Sequence, residues 1–312
     1  MNQPQRATKP TPTRELRLPA EALHAIDCYA DTVREAASIS QLAQQLGRPA
    51  HPVLKARGIY RWIAQFVAYD VEAFFTGRIA DDDPQVVLSR RKGMCGGYAR
   101  LFEALCHACG LTAVTLVGKV KGYSFATNGS LGGHAWNAVF LEGGWRLVDV
   151  TWGSGAIDAD RNFSRSFKDH YFAVPPHQLA NSHFPDDPAW QLMTLPLDLD
   201  TFINQPRISV AAFNLGIAPA SHRNRRINAP RHLAISFHAG TDAKLLAKIG
   251  GIQALPSQRC EFVAFHAPRA GIRTIELTLP KDGLYRLQLF ANAGNSNQYD
   301  LALEYLIQAC GR

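Results

Sequence analysis

One cysteine of this chain sits in a setting unlike that of the other five. Cys95 lies in Gly93-Met94-Cys95-Gly96-Gly97, directly ahead of a helical pattern that runs to Gly110. The start of a helix presents unpaired N–H groups and the positive end of the dipole. A thiol there can have its pKa lowered from ~8.5 into the range of about 3.5–7.5. The flanking glycines are expected to allow tight backbone geometry and to leave room for a substrate. Arg90, Arg91 and Lys92 add positive charge. Cys106 and Cys109 fall instead on the apolar face of the same helix, with Tyr98, Phe102 and Leu105, and read as small hydrophobes. The spacing Cys106-His-Ala-Cys109 could also be half of a zinc site. A structural zinc takes about four ligands, and no second such pair exists at suitable spacing. No metal and no cofactor are therefore expected.

A nucleophilic thiol needs a base, and the base needs an orienting group. His134 opens "GGHAWNAV" at the start of a strand, and Asp149 lies in "GWRLVDVTWG" on the next. With the turn at Glu142-Gly143-Gly144, His134 faces about position 152, and Asp149 is within diagonal reach across the pair. Taken singly, each residue has a plain structural reading: a packed or exposed histidine, a turn-forming aspartate, an inert cysteine. Together, with Trp136, Trp145 and Trp152 crowding the hairpin, they point to acyl transfer. The oxyanion would rest partly on the Cys95 N–H. The indoles of Trp62 and Trp136 are candidate second donors, and both also read as core aromatics. The loop at residues 121–133 is either a gate or a passive connection.

The elements that must carry these residues are legible in outline. Residues 20–46 read as helices, and residues 55–69 put Ile59, Trp62, Ile63 and Phe66 on one stripe. Asp81–Pro84 breaks structure ahead of a short helix with Val86, Val87 and Leu88. After the Cys95 helix the period changes to alternation at residues 111–122 and 134–153. Helices followed by strands imply an α+β domain with an antiparallel sheet. Residues 160–200 are irregular and rich in His, Pro and Asp. From about residue 205, seven short runs, the first of them "RISVAAF", are separated by Gly, Pro or Asn and imply a β-sandwich. The expected organisation is a flexible tail (1–19), a catalytic α+β domain (20–203) and a smaller all-β domain (204–312).

Bulk composition narrows the function classes. The chain has 312 residues, 46% of them hydrophobic, enough for packed cores. No apolar run approaches the ~20 residues of a membrane span, and the polar start "MNQPQRATKPTPTRELRLP" shows no secretory leader. Six sparse cysteines read as reduced thiols, so a cytoplasmic location is expected. Residues 1–200 balance 20 Lys and Arg against 20 Asp and Glu, whereas residues 201–312 hold 13 against 6. The basic C-terminal part could take an anionic partner. Arg223–Arg226 reads as a loop, and without a basic stripe of interleaved aromatics the pattern does not favour nucleic acid.

The set "KGMCGGYARLFEALCHACGL … GGHAWNAVFLEGGWRLVDVTWG", over residues 92–153, resembles the transglutaminase-like superfamily. Within it the chain is similar to the branch of kyphoscoliosis peptidase and Cyk3-type proteins. "HYFAVPPHQLANSHFPDDPAWQLM" (170–193) looks like the segment that follows the active residues there, and "LPKDGLYRLQLFANAG" like part of that branch's trailing domain. The resemblance covers about residues 55–310. It implies a papain-like arrangement with Cys95 as nucleophile, His134 as base and Asp149 as orienter. It also implies a protein or peptide substrate, cleaved, deamidated or transamidated. Some relatives act as non-catalytic scaffolds, and an interaction module is the alternative reading.

Overall fold

The computed structural model describes Leu16 and residues 19–123, 125, 129–158, 160–240, 243–251, 263–266, 271–292 and 298–311. The expected flexible tail falls almost wholly outside them, as does Cys260. The chain divides into two compact units between Leu197 and Asp198.

The N-terminal unit begins with six helices: α1 Ala20–Thr32, α2 Ile39–Leu46, α3 Pro52–Phe66, α4 Val71–Thr76, α5 Pro84–Arg90 and α6 Cys95–Ala108. Ser38, Asp70 and Asp83 cap α2, α4 and α5 through their side chains, satisfying N–H groups that a helix start leaves free. α1 and α3 are bound by two forked ion pairs. Arg57 reaches Asp27 at 2.8 and 2.7 Å, and Arg61 reaches Asp31 at 2.8 and 2.6 Å. Arg57 is buried and further surrounded by Asp169 and the rings of Phe167 and Phe172. A parallel bridge of β1 (Ala68–Tyr69) and β2 (Lys92–Gly93) ties the end of α3 to the approach to α6. The stripe foreseen on α3 is the core: Ile59, Trp62 and Ile63 are fully buried, beside Leu101, Phe102 and Leu105 of α6.

The sheet behind α6 is antiparallel, in the order β5 (Gly144–Val148), β4 (Gly132–Leu141), β3 (Ala113–Val120), β8 (His183–Pro185). Gly110, at φ +76°, closes the helix before β3. The hairpin turns at Glu142 and Gly143, both at positive φ. Asn137 ↔ Val148 is the last pair of the β4–β5 ladder. The second strand therefore ends earlier than the alternation implied. Asp149 caps a short helix, α7 (Val150–Ser154), through an Oδ1 that accepts the Trp152 N–H at 3.0 Å. The competing influence is the aspartate itself, which favours a cap over a strand. A small hairpin of β6 (Gly155–Ile157) and β7 (Phe163–Arg165) follows. The irregular stretch after it includes the short helix α8 (Pro176–Leu179) before β8 joins the sheet.

The C-terminal unit is two stacked sheets. One orders β10 (Ala218–Pro219), β12 (His232–His238), β15 (Ile272–Thr278) and β14 (Val263–Phe265). The other orders β11 (Arg226–Ala229), β17 (Asp300–Ala309), β16 (Gly283–Asn292) and β13 (Lys244–Gly251), with β9 (Arg207–Ile208) also against β17. Phe237, Ile275, Leu277, Leu287, Leu303 and Ile307 fill the space between them. One run expected as a strand differs. A short α9 (Leu199–Asn204) precedes β9; in "RISVAAF" only β9 is extended, and α10 (Val210–Asn214) follows, capped by Ser209.

Gly118 marks the tightest joint of the β5-β4-β3-β8 sheet. A Cβ there would collide with the Phe184 carbonyl of β8 and press on Trp136. Gly118→Ala is expected to lower unfolding free energy by about 1–3 kcal/mol. Urea titration followed by tryptophan fluorescence checks it.

Candidate active site

Cys95 is the first residue of α6, and its N-cap, Met94, offers no side-chain acceptor. The acceptor comes from elsewhere: the Asp82 carboxylate, ahead of α5, takes the Gly97 N–H. This explains the glycines differently from the sequence reading. A Cβ on Gly96 would strike the Asp82 carboxylate, and one on Gly97 would lie 2.8 Å from Val87. The glycines make room for α5 and its leading loop rather than for a ligand. The basic run is also engaged: Lys92 pairs with Asp70 at 3.1 Å, and Arg91 lies over Trp62 at 4.3 Å.

The structure brings the three candidate residues together. His134 stands near the start of β4, with Asp149 just past the end of β5, so the diagonal approach closes. His134 Nε2 donates to Asp149 Oδ2 at 2.8 Å. The other side of the imidazole meets Cys95, whose sulfur also takes the Ala135 N–H. Asp149 is wholly buried, His134 nearly so, and Cys95 partly exposed.

The electrostatics follow from that order. Burial raises the Cys95 thiol, but the hydrogen bond and charge of His134 and the Ala135 N–H outweigh it, and its pKa is lowered. Burial would likewise lower His134, yet Asp149 and Cys95 raise it to about 10. Asp149 is held well below the usual carboxylate range, because His134 and His183 overcome its desolvation. The favoured state is thiolate, imidazolium and carboxylate in a row. Cys106 and Cys109 are the opposite case: both are buried, and burial pushes both thiols up.

One residue of this constellation escaped the sequence reading. His183, on β8, donates from Nε2 to the same Asp149 Oδ2 at 2.9 Å and is buried. Its only sequence signal is the segment "NSHFPDDP" itself, since nothing in the spacing ties β8 to Asp149. His134, Asp149 and His183 have ligand atoms within 4.8 Å of one another, close enough to consider a metal. The separations of 2.8 and 2.9 Å are those of N–H···O bonds, and Asp149 offers no open face.

The tryptophans separate into different roles. Trp62 Nε1 is spent on the Val33 carbonyl at 2.7 Å, which removes it as an oxyanion donor. Trp136 stacks on His134 with centroids 6.1 Å apart, and its indole N–H is buried without a protein partner. Asn137 reaches the Ala99 carbonyl of α6 at 2.9 Å. By strand alternation Trp136 therefore faces away from the body of that helix. Trp152 packs on both histidines, at 5.7 and 4.5 Å. Of the loop considered as a gate, residues 124 and 126–128 lie outside the described residues.

Comparison with known proteins gives the chain a family. Residues 40–150 match the family model of the transglutaminase-like superfamily. Kyphoscoliosis peptidase of Mus musculus is 33% identical over 291 residues, 91% of this chain and 42% of that protein. The Homo sapiens protein of the same name is 32% identical over 303 residues, 95% and 44%. Cytokinesis protein 3 of Schizosaccharomyces pombe is 25% identical over 200 residues, 62% and 23%. The chain thus spans less than half the length of these relatives. Among the described residues no helix is long and apolar enough to cross a membrane.

Two outcomes follow from the charge distribution. Iodoacetamide should modify Cys95 well below the ~8.5 of an ordinary thiol and leave Cys106 untouched in the folded chain. His134→Ala should move the Cys95 midpoint back toward ~8.5. Peptide mass spectrometry across pH reads both. A group whose pKa is raised on folding stabilises below its unfolded value and loses that contribution as pH climbs through the folded one. The thermal midpoint should therefore fall as pH rises from 6.5 to about 10, where folded His134 keeps a proton that the unfolded chain has lost, and level off above it; His134→Ala should remove that component of the fall.

Proposed function

The chain belongs, through residues 40–150, to the transglutaminase-like superfamily, and we propose that it is a cysteine-dependent acyl-transfer enzyme acting on protein amides. The observation that carries this reading is one imidazole held between a buried carboxylate and a partly exposed thiol. An interaction module has no need of a thiol with a lowered pKa, and the contact between His134 and Cys95 favours the enzyme.

The chemistry follows from the groups in order. The Cys95 thiolate adds to the carbonyl carbon of an amide, either a peptide bond or a glutamine side chain, and the carbonyl π pair moves onto oxygen. The Cys95 N–H lies in the first turn of α6, where a helix has no internal acceptor to give it. It can stabilise that oxyanion, a role worth about 3–4 kcal/mol per donor in comparable sites. His134 then passes its proton to the departing nitrogen, the C–N bond breaks, and a thioester remains on Cys95. Water or a second amine, deprotonated by the now neutral His134, attacks the thioester and returns the thiol. Asp149 keeps the imidazole in the tautomer that donates from Nε2, so the other ring nitrogen faces sulfur. Water as acceptor gives cleavage or deamidation, and an amine gives transamidation.

Incubation of the full chain with glutamine-containing protein substrates and a primary amine, read by mass spectrometry, tests this. One of three products is expected: cleaved peptide, deamidated glutamine or amine adduct. Cys95→Ala should abolish whichever forms, and His134→Ala should lower its rate at least ~100-fold. Equal product with wild type and Cys95→Ala would refute the proposal.

A further inference from the structure

We infer that His183 is a positioning residue of this site, acting through Asp149 on His134. The inference rests on the acyl-transfer reading above. Its basis is the hydrogen-bond accounting of one buried carboxylate. Asp149 Oδ1 is occupied by the Trp152 N–H at 3.0 Å, and Oδ2 receives His134 at 2.8 Å and His183 at 2.9 Å. A carboxylate only accepts, so His183 must carry its proton on Nε2. Its Nδ1 is then an acceptor, and the Ser182 hydroxyl at 2.8 Å donates to it. Ser182, His183, Asp149, His134 and Cys95 thus form one connected chain, in which N–H donors converge on Asp149 from both sides and the carboxylate holds a proton on the Nε2 of each imidazole.

His183 is built to hold that place. Its ring lies edge-on to two indoles, Trp152 at 4.5 Å and Trp136 at 5.1 Å. Its backbone is pinned by the β3–β8 ladder, Val120 ↔ His183 through Gly118 ↔ Pro185. Two further backbone bonds flank the ladder, Lys121 N to Ser182 O and Asp186 N to Val117 O. Without His183 one side of Oδ2 would face apolar rings, and an unmet carboxylate lone pair is costly in such a place. The carboxylate would then turn toward other donors and leave His134 unaligned with the sulfur. The stretch after β7 therefore has a task beyond covering the sheet: it delivers a second imidazole to the orienting carboxylate.

The test measures the rate of Cys95 alkylation by iodoacetamide in the full chain between about pH 5 and 9. His183→Leu fills the space without a donor. Its Cys95 midpoint should rise toward that of an ordinary thiol, and its labelling rate near pH 6 should fall about tenfold. His183→Gln restores an N–H at a similar position and should recover most of the rate, to within about threefold of wild type. A His183→Leu profile that overlies wild type would overturn the inference. So would a His183→Gln profile displaced as far as that of His183→Leu. If His183→Leu does not fold, His183→Met decides, since it too fills the space without a donor: an upward midpoint shift supports the inference, and a profile that overlies wild type refutes it. A wild-type Cys95 that itself titrates as an ordinary thiol would instead defeat the reactive-thiol reading on which this inference stands.

Discussion

The N-terminal unit is organised around one ionised carboxylate kept from water. Asp149 has no exposed surface, and an unpaired carboxylate in such a place would be prohibitively expensive. It is tolerated because three N–H groups converge on it, from Trp152, His134 and His183. Those donors come from α7, β4 and β8, elements separated in the chain. Each must be seated before the charge is solvated by protein, and the solvated charge in turn holds them in register. The orientation of the imidazole toward sulfur is a by-product of that solution.

Cys95 is held by a complementary arrangement. α6 starts without a capping side chain of its own, and Asp82 supplies one from across the α5 turn. The two glycines after Cys95 are what let that carboxylate and Val87 approach. The positive end of α6 is therefore shared. Part is satisfied by Asp82 at Gly97, and the first N–H groups beside the sulfur lie in the turn at the positive end of the dipole. The same helix buries Cys106, where desolvation raises the thiol, so two thiols eleven residues apart have opposite pKa shifts.

The C-terminal unit obeys simpler physics. Its strands alternate core and surface residues, as in β15, where Ile275 and Leu277 are buried and Glu276 is exposed. Its basic charge sits partly around a buried acid: Glu304, on β17, has Arg225 and Arg286 at 3.9 and 4.0 Å and accepts from Gln288 at 3.0 Å. These cations partly serve to compensate a carboxylate inside the sheet surface.

Much of this was written in local sequence. The α3 stripe, the α6 start at Cys95, the Gly110 stop and the Glu142-Gly143 turn all rest on short-range signals: apolar period, dipole, left-handed backbone. The contrast between Cys95 and Cys106 is of the same kind, because position along one helix decides it. The approach of His134 to Asp149 was within reach, since a tight hairpin converts spacing into distance. Local pattern could not say that Asp149 leaves the strand to cap α7, that Asp82 caps α6, or that His183 shares the Asp149 carboxylate. Each of these depends on where a distant backbone passes. Only the assembled sheet, with β8 laid against β3, brings that second imidazole within 2.9 Å of a carboxylate 34 residues earlier in the chain.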